Sequence, residues 1–117
     1  MSLIIEKGHF VGLDGALTDI KDKGLFPTTY ATDHATAASL HWHSEEVLAY
    51  LVQGKTYFLD AEGQKLWLEP GDLIEVPART LHADGDINEP LVMLIGLAEA
   101  LPTDRFLLPR DPEELRE

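Results

Sequence analysis

Short runs of apolar, β-branched and aromatic residues, each closed by a turn, dominate the middle of this 117-residue chain. Residues 47–52, 56–59, 65–68, 72–76 and 91–95 form such runs, and side chains of this kind favour the pleated, half-buried surface of a strand. Between them stand Gly54, Asp60-Ala61-Glu62-Gly63, Pro70-Gly71-Asp72, Pro77, Asp84-Gly85-Asp86 and Glu89-Pro90, whose glycine, proline and aspartate suit turns. Regularly spaced short strands predict an all-β sandwich or barrel. In the first run Val47, Ala49 and Leu51 share one face, and Leu48, Tyr50 and Val52 the other. Both faces are apolar, so this strand is expected to be buried on both sides. One side would be a barrel lumen; the other would be a dimer interface or a packed sheet within the chain.

The only good helix start is in the tail. There Asp111 can cap, Pro112 suits the first helical position, and Glu113 and Glu114 favour the positive end of the helix dipole. The rest of the acidic tail reads as a solvated, partly ordered end. Without repeats, low-complexity stretches or linkers, residues 1–117 read as one domain. Its core spans roughly residues 30–98, preceded by N-terminal strands.

Composition narrows the function classes. A hydrophobic fraction of 44% and a charged fraction of 26% fit a soluble globular protein. No apolar run approaches a membrane span, and the N-terminus lacks the shape of a signal peptide. The chain has no cysteine, so disulfides, thiolate ligands and cysteine nucleophiles are excluded, and a cytoplasmic location is expected. Nine basic residues face twenty-one acidic ones, for a net charge of −12. Such a field repels a phosphate backbone, and no basic stripe offsets it, so nucleic acid is excluded as a partner. An anionic small substrate would need a locally placed arginine or a metal ion.

The candidate chemistry lies in three histidines. His41 and His43 are two residues apart, so on an extended segment both imidazoles point the same way. His82, on a different strand after a Pro-Gly turn, completes a facial set of three nitrogen ligands. Such a set leaves coordination positions open, as catalytic rather than structural metal sites require. A single buried histidine is more often a hydrogen-bonded core residue than a ligand; it is the grouping of three that raises a metal hypothesis. Trp42 has the opposite parity and is expected to pack away from the pocket, against a second sheet or a partner subunit. His9 and His34 are assigned no function.

His41-Trp42-His43 with Glu45-Glu46 and Gly54 resembles the first conserved motif of the cupins: a glycine, five residues, His-x-His, three or four residues, Glu, six residues and Gly. The stretch 70–82 resembles their second, in which a glycine, five residues, Pro-x-Gly, two residues and His are followed by an Asn four residues on. Gly71, Pro77 and His82 fall in register. The resemblance implies a jelly-roll (double-stranded β-helix) barrel, often a homodimer, holding a divalent metal through three histidines and a glutamate. The sequence departs from the pattern at four places. Ala35 and Arg79 stand where the family has glycine, Asp86 where it has the asparagine, and Val47 at the metal-binding glutamate. Glu46 is one residue early, and only a β-bulge would turn it inward. Glu45 has the right parity but lies in the connection after His43. Both stay as candidates for a fourth ligand or for a hydrogen-bond acceptor that fixes an imidazole tautomer.

His41, His43 and His82 are therefore the expected metal ligands, and three imidazoles suit Fe, Zn, Ni, Mn or Cu without choosing among them. Arg79 is either a clamp for a substrate carboxylate or a solvated rim residue. Pro70-Gly71-Asp72 is read as a tight turn without a chemical role. Two functions are expected: a metal-dependent oxygenase acting on a small oxygenated organic molecule, or a non-catalytic module binding or sensing a small molecule without an obligatory metal.

Overall fold

A strand with two apolar faces needs a cover on each side, and two different layers supply them. The computed structural model describes residues 2–37, 39–100 and 109–116. Its elements run β1 (Ile4–Glu6), α1 (Gly12–Asp22), β2 (Phe26–Thr32), β3 (Val47–Gln53), β4 (Thr56–Leu59), β5 (Lys65–Leu68), β6 (Leu73–Val76), β7 (Ala83–Asp84) and β8 (Leu91–Leu97). A 3-10 stretch, Pro112–Arg116, follows. The strands form a five-stranded sheet in the order β1-β6-β3-β8-β2 and a three-stranded sheet in the order β5-β4-β7. Every pairing is antiparallel. The expected β-barrel of jelly-roll type is thus the fold, with one helix added.

The inner face of the larger sheet presents Val47, Ala49 and Leu51 of β3, Ile74 and Val76 of β6, and Met93 and Ile95 of β8. Phe58 of β4 and Leu68 of β5 meet them from the smaller sheet. Gly54 makes the β3–β4 turn possible. It takes φ +92, and a Cβ there would stand 2.5 Å from the Pro90 carbonyl oxygen at the start of β8.

The outer face corrects the expectation for the N-terminal region. It holds a helix as well as strands, and Leu48, Tyr50 and Leu94 pack against Phe10 and against Ala16 and Ile20 of α1. That face is covered by the chain's own N-terminal segment and helix. The helix starts poorly, with glycine at positions 12 and 15 and no side-chain cap from Val11. It stops well: Gly24 takes φ +70, its N–H donates to Lys21 (3.0 Å), and Leu25 N–H donates to Ile20 (3.0 Å). This is a Schellman ending, with Leu25 packed on the same apolar cluster.

Two aspartates fasten this layer. Asp72, buried in the β5–β6 turn, accepts hydrogen bonds from Lys7 Nζ (2.6 Å), Gly8 N–H (2.9 Å) and Glu69 N–H (2.8 Å). The Gly71 carbonyl accepts from His9 N–H at 2.8 Å. The Pro-Gly-Asp turn therefore anchors the segment leading into α1. Asp19, on α1, accepts from the buried Tyr50 hydroxyl (2.6 Å) and from Lys23 Nζ (2.6 Å). At the C-terminus Asp111 caps as expected, accepting from Glu113 N–H at 2.9 Å, but the helix is a short 3-10 stretch. Glu117 lies outside the described residues. Among the described residues no helix is long and apolar enough to cross a membrane.

Burial alone would raise the Asp19 carboxyl, but the hydrogen bonds from Lys23, Tyr50 and His9 outweigh it and hold the pKa at about 2. Stabilisation from a depressed carboxyl is complete above its unfolded value, about 3.9, and is lost as pH falls through the folded value. Asp19→Asn is expected to lower stability at neutral pH by about 2 kcal/mol and to flatten the acid limb between pH about 4 and about 2. Urea unfolding across that range checks it; acid limbs that run parallel in the two proteins would contradict it.

Candidate metal centre

The backbone sets two of the three histidines side by side. His41 and His82 form an isolated antiparallel bridge, with His41 N–H donating to the His82 carbonyl (2.8 Å) and His82 N–H to the His41 carbonyl (2.9 Å). His43, two residues on, returns to the same face. The His43 carbonyl accepts from Arg79 N–H at 2.9 Å, which ties this segment to the connection before His82. The ring centroids lie 4.5 Å (His41–His82), 4.9 Å (His41–His43) and 5.2 Å (His43–His82) apart.

All three histidines are buried, and each offers a ring nitrogen within 4.8 Å of the others. Held by one ion at about 2.1 Å in a facial set, the nitrogens would stand about 3–3.4 Å apart, so binding would draw the rings together. The donor set suits a divalent ion, and the group could hold one. His41 Nδ1 lies 2.7 Å from the Ser39 carbonyl, and His82 Nδ1 2.9 Å from the Thr80 carbonyl. A carbonyl only accepts, so each Nδ1 carries the proton and each Nε2 keeps its lone pair. Burial pulls the His82 imidazole down to about 4, against the opposing hydrogen bond to Thr80. It is therefore neutral near pH ~7, the form a metal requires.

The histidines line a cavity of about 420 Å³ between the two sheets. Its walls are mostly apolar, with Val47 and Ala49 from β3, Phe58 from β4 and Ile95 from β8. Val47, at the position of the family's glutamate, faces the cavity as its parity requires. Glu45 is half-buried and Glu46 exposed. Neither belongs to the histidine group or to the cavity lining, so the structure does not bring them in as a fourth ligand. The tautomers of His41 and His82 are held by the Ser39 and Thr80 carbonyls instead.

Arg79 is also placed elsewhere. It is exposed and absent from the lining, with its guanidinium 5.0 Å over the Trp42 ring. The backbone explains this residue: Arg79 has φ 64, the left-handed conformation for which the family's glycine is suited. Trp42 packs away from the cavity, but against the C-terminal segment rather than a second sheet. Its Nε1–H donates to the Asp111 carbonyl (2.8 Å), and Arg110 covers it at 5.0 Å. The sequence reading missed Arg110, the Ser39 and Thr80 carbonyls, and Asp84, which lines the cavity.

A family model described as "Cupin domain" matches residues 30–94. No curated protein sequence matches the chain. Among solved structures, a DUF861-family protein from Thermotoga maritima superposes with a TM-score of 0.57 at 18% identity, covering 81% of this chain and 98% of that one. The DMSP lyase DddQ from Ruegeria pomeroyi gives 0.57 at 22% identity, covering 68% of this chain and 41% of the lyase. The polyketide cyclase RemF from Streptomyces resistomycificus gives 0.54 at 20%, covering 77% of this chain and 66% of the cyclase. At these identities the likeness is one of fold.

The inward-facing Val47 offers a direct probe of the centre. Val47→Glu puts a carboxylate into the cavity beside the imidazoles, and without an ion it is expected to destabilise the protein by about 2–4 kcal/mol. A divalent ion should recover much of that loss, so the metal-induced rise in melting temperature should exceed that of the parent protein. Calorimetry with and without chelator measures both; equal metal shifts in the two proteins would count against the centre.

Proposed function

The chain belongs to the cupin domain family, and from that premise we propose that it is a metal-dependent oxygenase acting on a small oxygenated organic molecule. The supporting observation is a cluster of three buried imidazoles, those of His41 and His82 with their protons turned to carbonyls, on the wall of a largely apolar cavity. His41, His43 and His82 would hold a divalent ion and leave part of its coordination sphere open to the cavity. Such an ion supplies Lewis acidity and, as iron, redox chemistry with dioxygen.

The chain's own residues bind, orient and exclude water. The cavity volume of about 420 Å³ accepts a small organic molecule. Val47, Ala49, Met93 and Ile95 give it a dry floor on the larger sheet, where polar interactions with a ligand oxygen are strengthened. The polar groups of β4 are engaged elsewhere. Thr56 Oγ1 donates to the Asp86 carbonyl (3.1 Å), and the Tyr57 hydroxyl donates to Asp86 Oδ2 (3.1 Å). Among the described residues the titratable side chains lining the cavity are the three imidazoles, the exposed Asp84, Tyr30 and Tyr57, with the Tyr57 hydroxyl already bonded to Asp86. The imidazole group and the apolar lining favour chemistry carried by an ion over chemistry carried by side-chain acids and bases alone.

Untagged protein from metal-replete medium is expected to carry close to one ion per chain, with His41→Ala and His82→Ala each losing most of it. Elemental analysis of the three proteins measures this. Metal-free protein that also refuses loading would overturn the metalloenzyme. If small ligands then stabilised it equally with and without chelator, the module would be a non-catalytic binder.

A further inference from the structure

The cavity has an inner end made of imidazoles and an outer end that is charged. Asp84 is the one carboxylate among its described lining residues, which include no lysine or arginine. Its position follows from strand geometry. His82 and Asp84 are two residues apart on an extended segment, so they share a face, and the intervening Ala83 is buried on the other side. Asp84 also sits opposite Phe58 in the β4–β7 pairing, and Phe58 lines the same wall. Along this face exposure rises from His82, 2% exposed, to the exposed Asp84, so the carboxylate stands toward the open end.

Asp84 differs from its neighbour Asp86, whose oxygens accept from Ala37 N–H (2.8 Å) and the Tyr57 hydroxyl (3.1 Å). Among the described residues no hydrogen bond or ion pair engages the Asp84 carboxylate. A structural aspartate on a two-residue strand would be expected to hold a turn or a backbone N–H, as Asp72 does. The chain as a whole is acidic, with a net charge of −12. Arg79, the arginine that would have attracted an anion, lies on Trp42 instead.

We propose that Asp84 sets the charge selectivity of the cavity, which takes small organic molecules bearing a cationic or hydrogen-bond-donating group at the outer end and a neutral oxygen at the inner end, and discriminates against carboxylates and phosphates. The outer-end selectivity stands on Asp84 and the wall around it; only the role of the inner oxygen rests on the metalloenzyme reading.

The test uses three probes of nearly equal shape: choline, its uncharged carbon isostere neohexanol, and the tert-butylacetate anion. Their affinities are measured by calorimetry for the parent protein, Asp84→Asn and Asp84→Lys, each with zinc and with chelator, and zinc content is determined on the same samples. The preference for choline over neohexanol is expected to fall about tenfold from parent to Asp84→Asn in both metal states, the scale of one partly solvated charge contact. Asp84→Lys should invert the order in favour of the anion. Binding ratios unchanged among the three proteins, or no binding of any probe to the parent, would overturn the proposal. Unchanged ratios with normal zinc uptake would leave the metal centre standing, whereas shifted ratios in protein that takes up no zinc would sink the metalloenzyme and keep the selectivity.

Discussion

The structure turns on one backbone contact, the reciprocal hydrogen bonds between His41 and His82 at 2.8 and 2.9 Å. An antiparallel bridge forces the two side chains onto the same face of their strands, a few ångströms apart. The strand period of two then places His43 beside His41. Three imidazoles converge because two short extended segments are held in one register; a slip of a single residue would turn the set outward. The surrounding motif residues serve that register. Gly54 allows the close approach of the β3–β4 turn to β8. Arg79 keeps a left-handed backbone between β6 and His82, with its N–H bonded to the His43 carbonyl.

Burial turns this geometry into chemistry. Burial pulls the His82 imidazole down to about 4, and a neutral ring is both a metal ligand and a tolerable buried group. The Ser39 and Thr80 carbonyls choose which nitrogen keeps its hydrogen. Each lies two residues before the histidine it orients, so the segment that delivers the ring also sets its tautomer. The cavity then grades outward from these rings through apolar walls to Asp84.

Much of the fold was legible because it rests on period-two patterning and turn chemistry. The strands over residues 47–52, 56–59, 65–68, 72–76 and 91–95 appear as β3, β4, β5, β6 and β8, with end shifts of at most two residues. The inward parity of Val47 was legible for the same reason. Helix α1 was not, since Gly12 and Gly15 dilute its propensity and no side chain caps it. Its usable signals were Gly24-Leu25 at the end and the paired Ala16 and Ile20 along one face. β2 falls among the expected N-terminal strands but could not be given bounds, because an edge strand with mostly exposed residues lacks a strong alternation. In the site, the three histidines were legible from spacing. The roles of the Ser39 and Thr80 carbonyls were not, because a backbone acceptor carries no residue signature. Glu45 and Glu46 stay outside the site because the connection after His43 turns them from the cavity, and no parity rule extends across such a turn.

The central claim is that His41, His43 and His82 act together as a three-nitrogen centre, and X-ray absorption spectroscopy of the zinc-loaded protein tests it most directly. The fine structure should show nitrogen or oxygen neighbours at about 2.0–2.1 Å with the outer-shell scattering of imidazole rings, diminished in His82→Ala. Zinc bound without imidazole scattering, or a spectrum identical in the variant, would contradict the account.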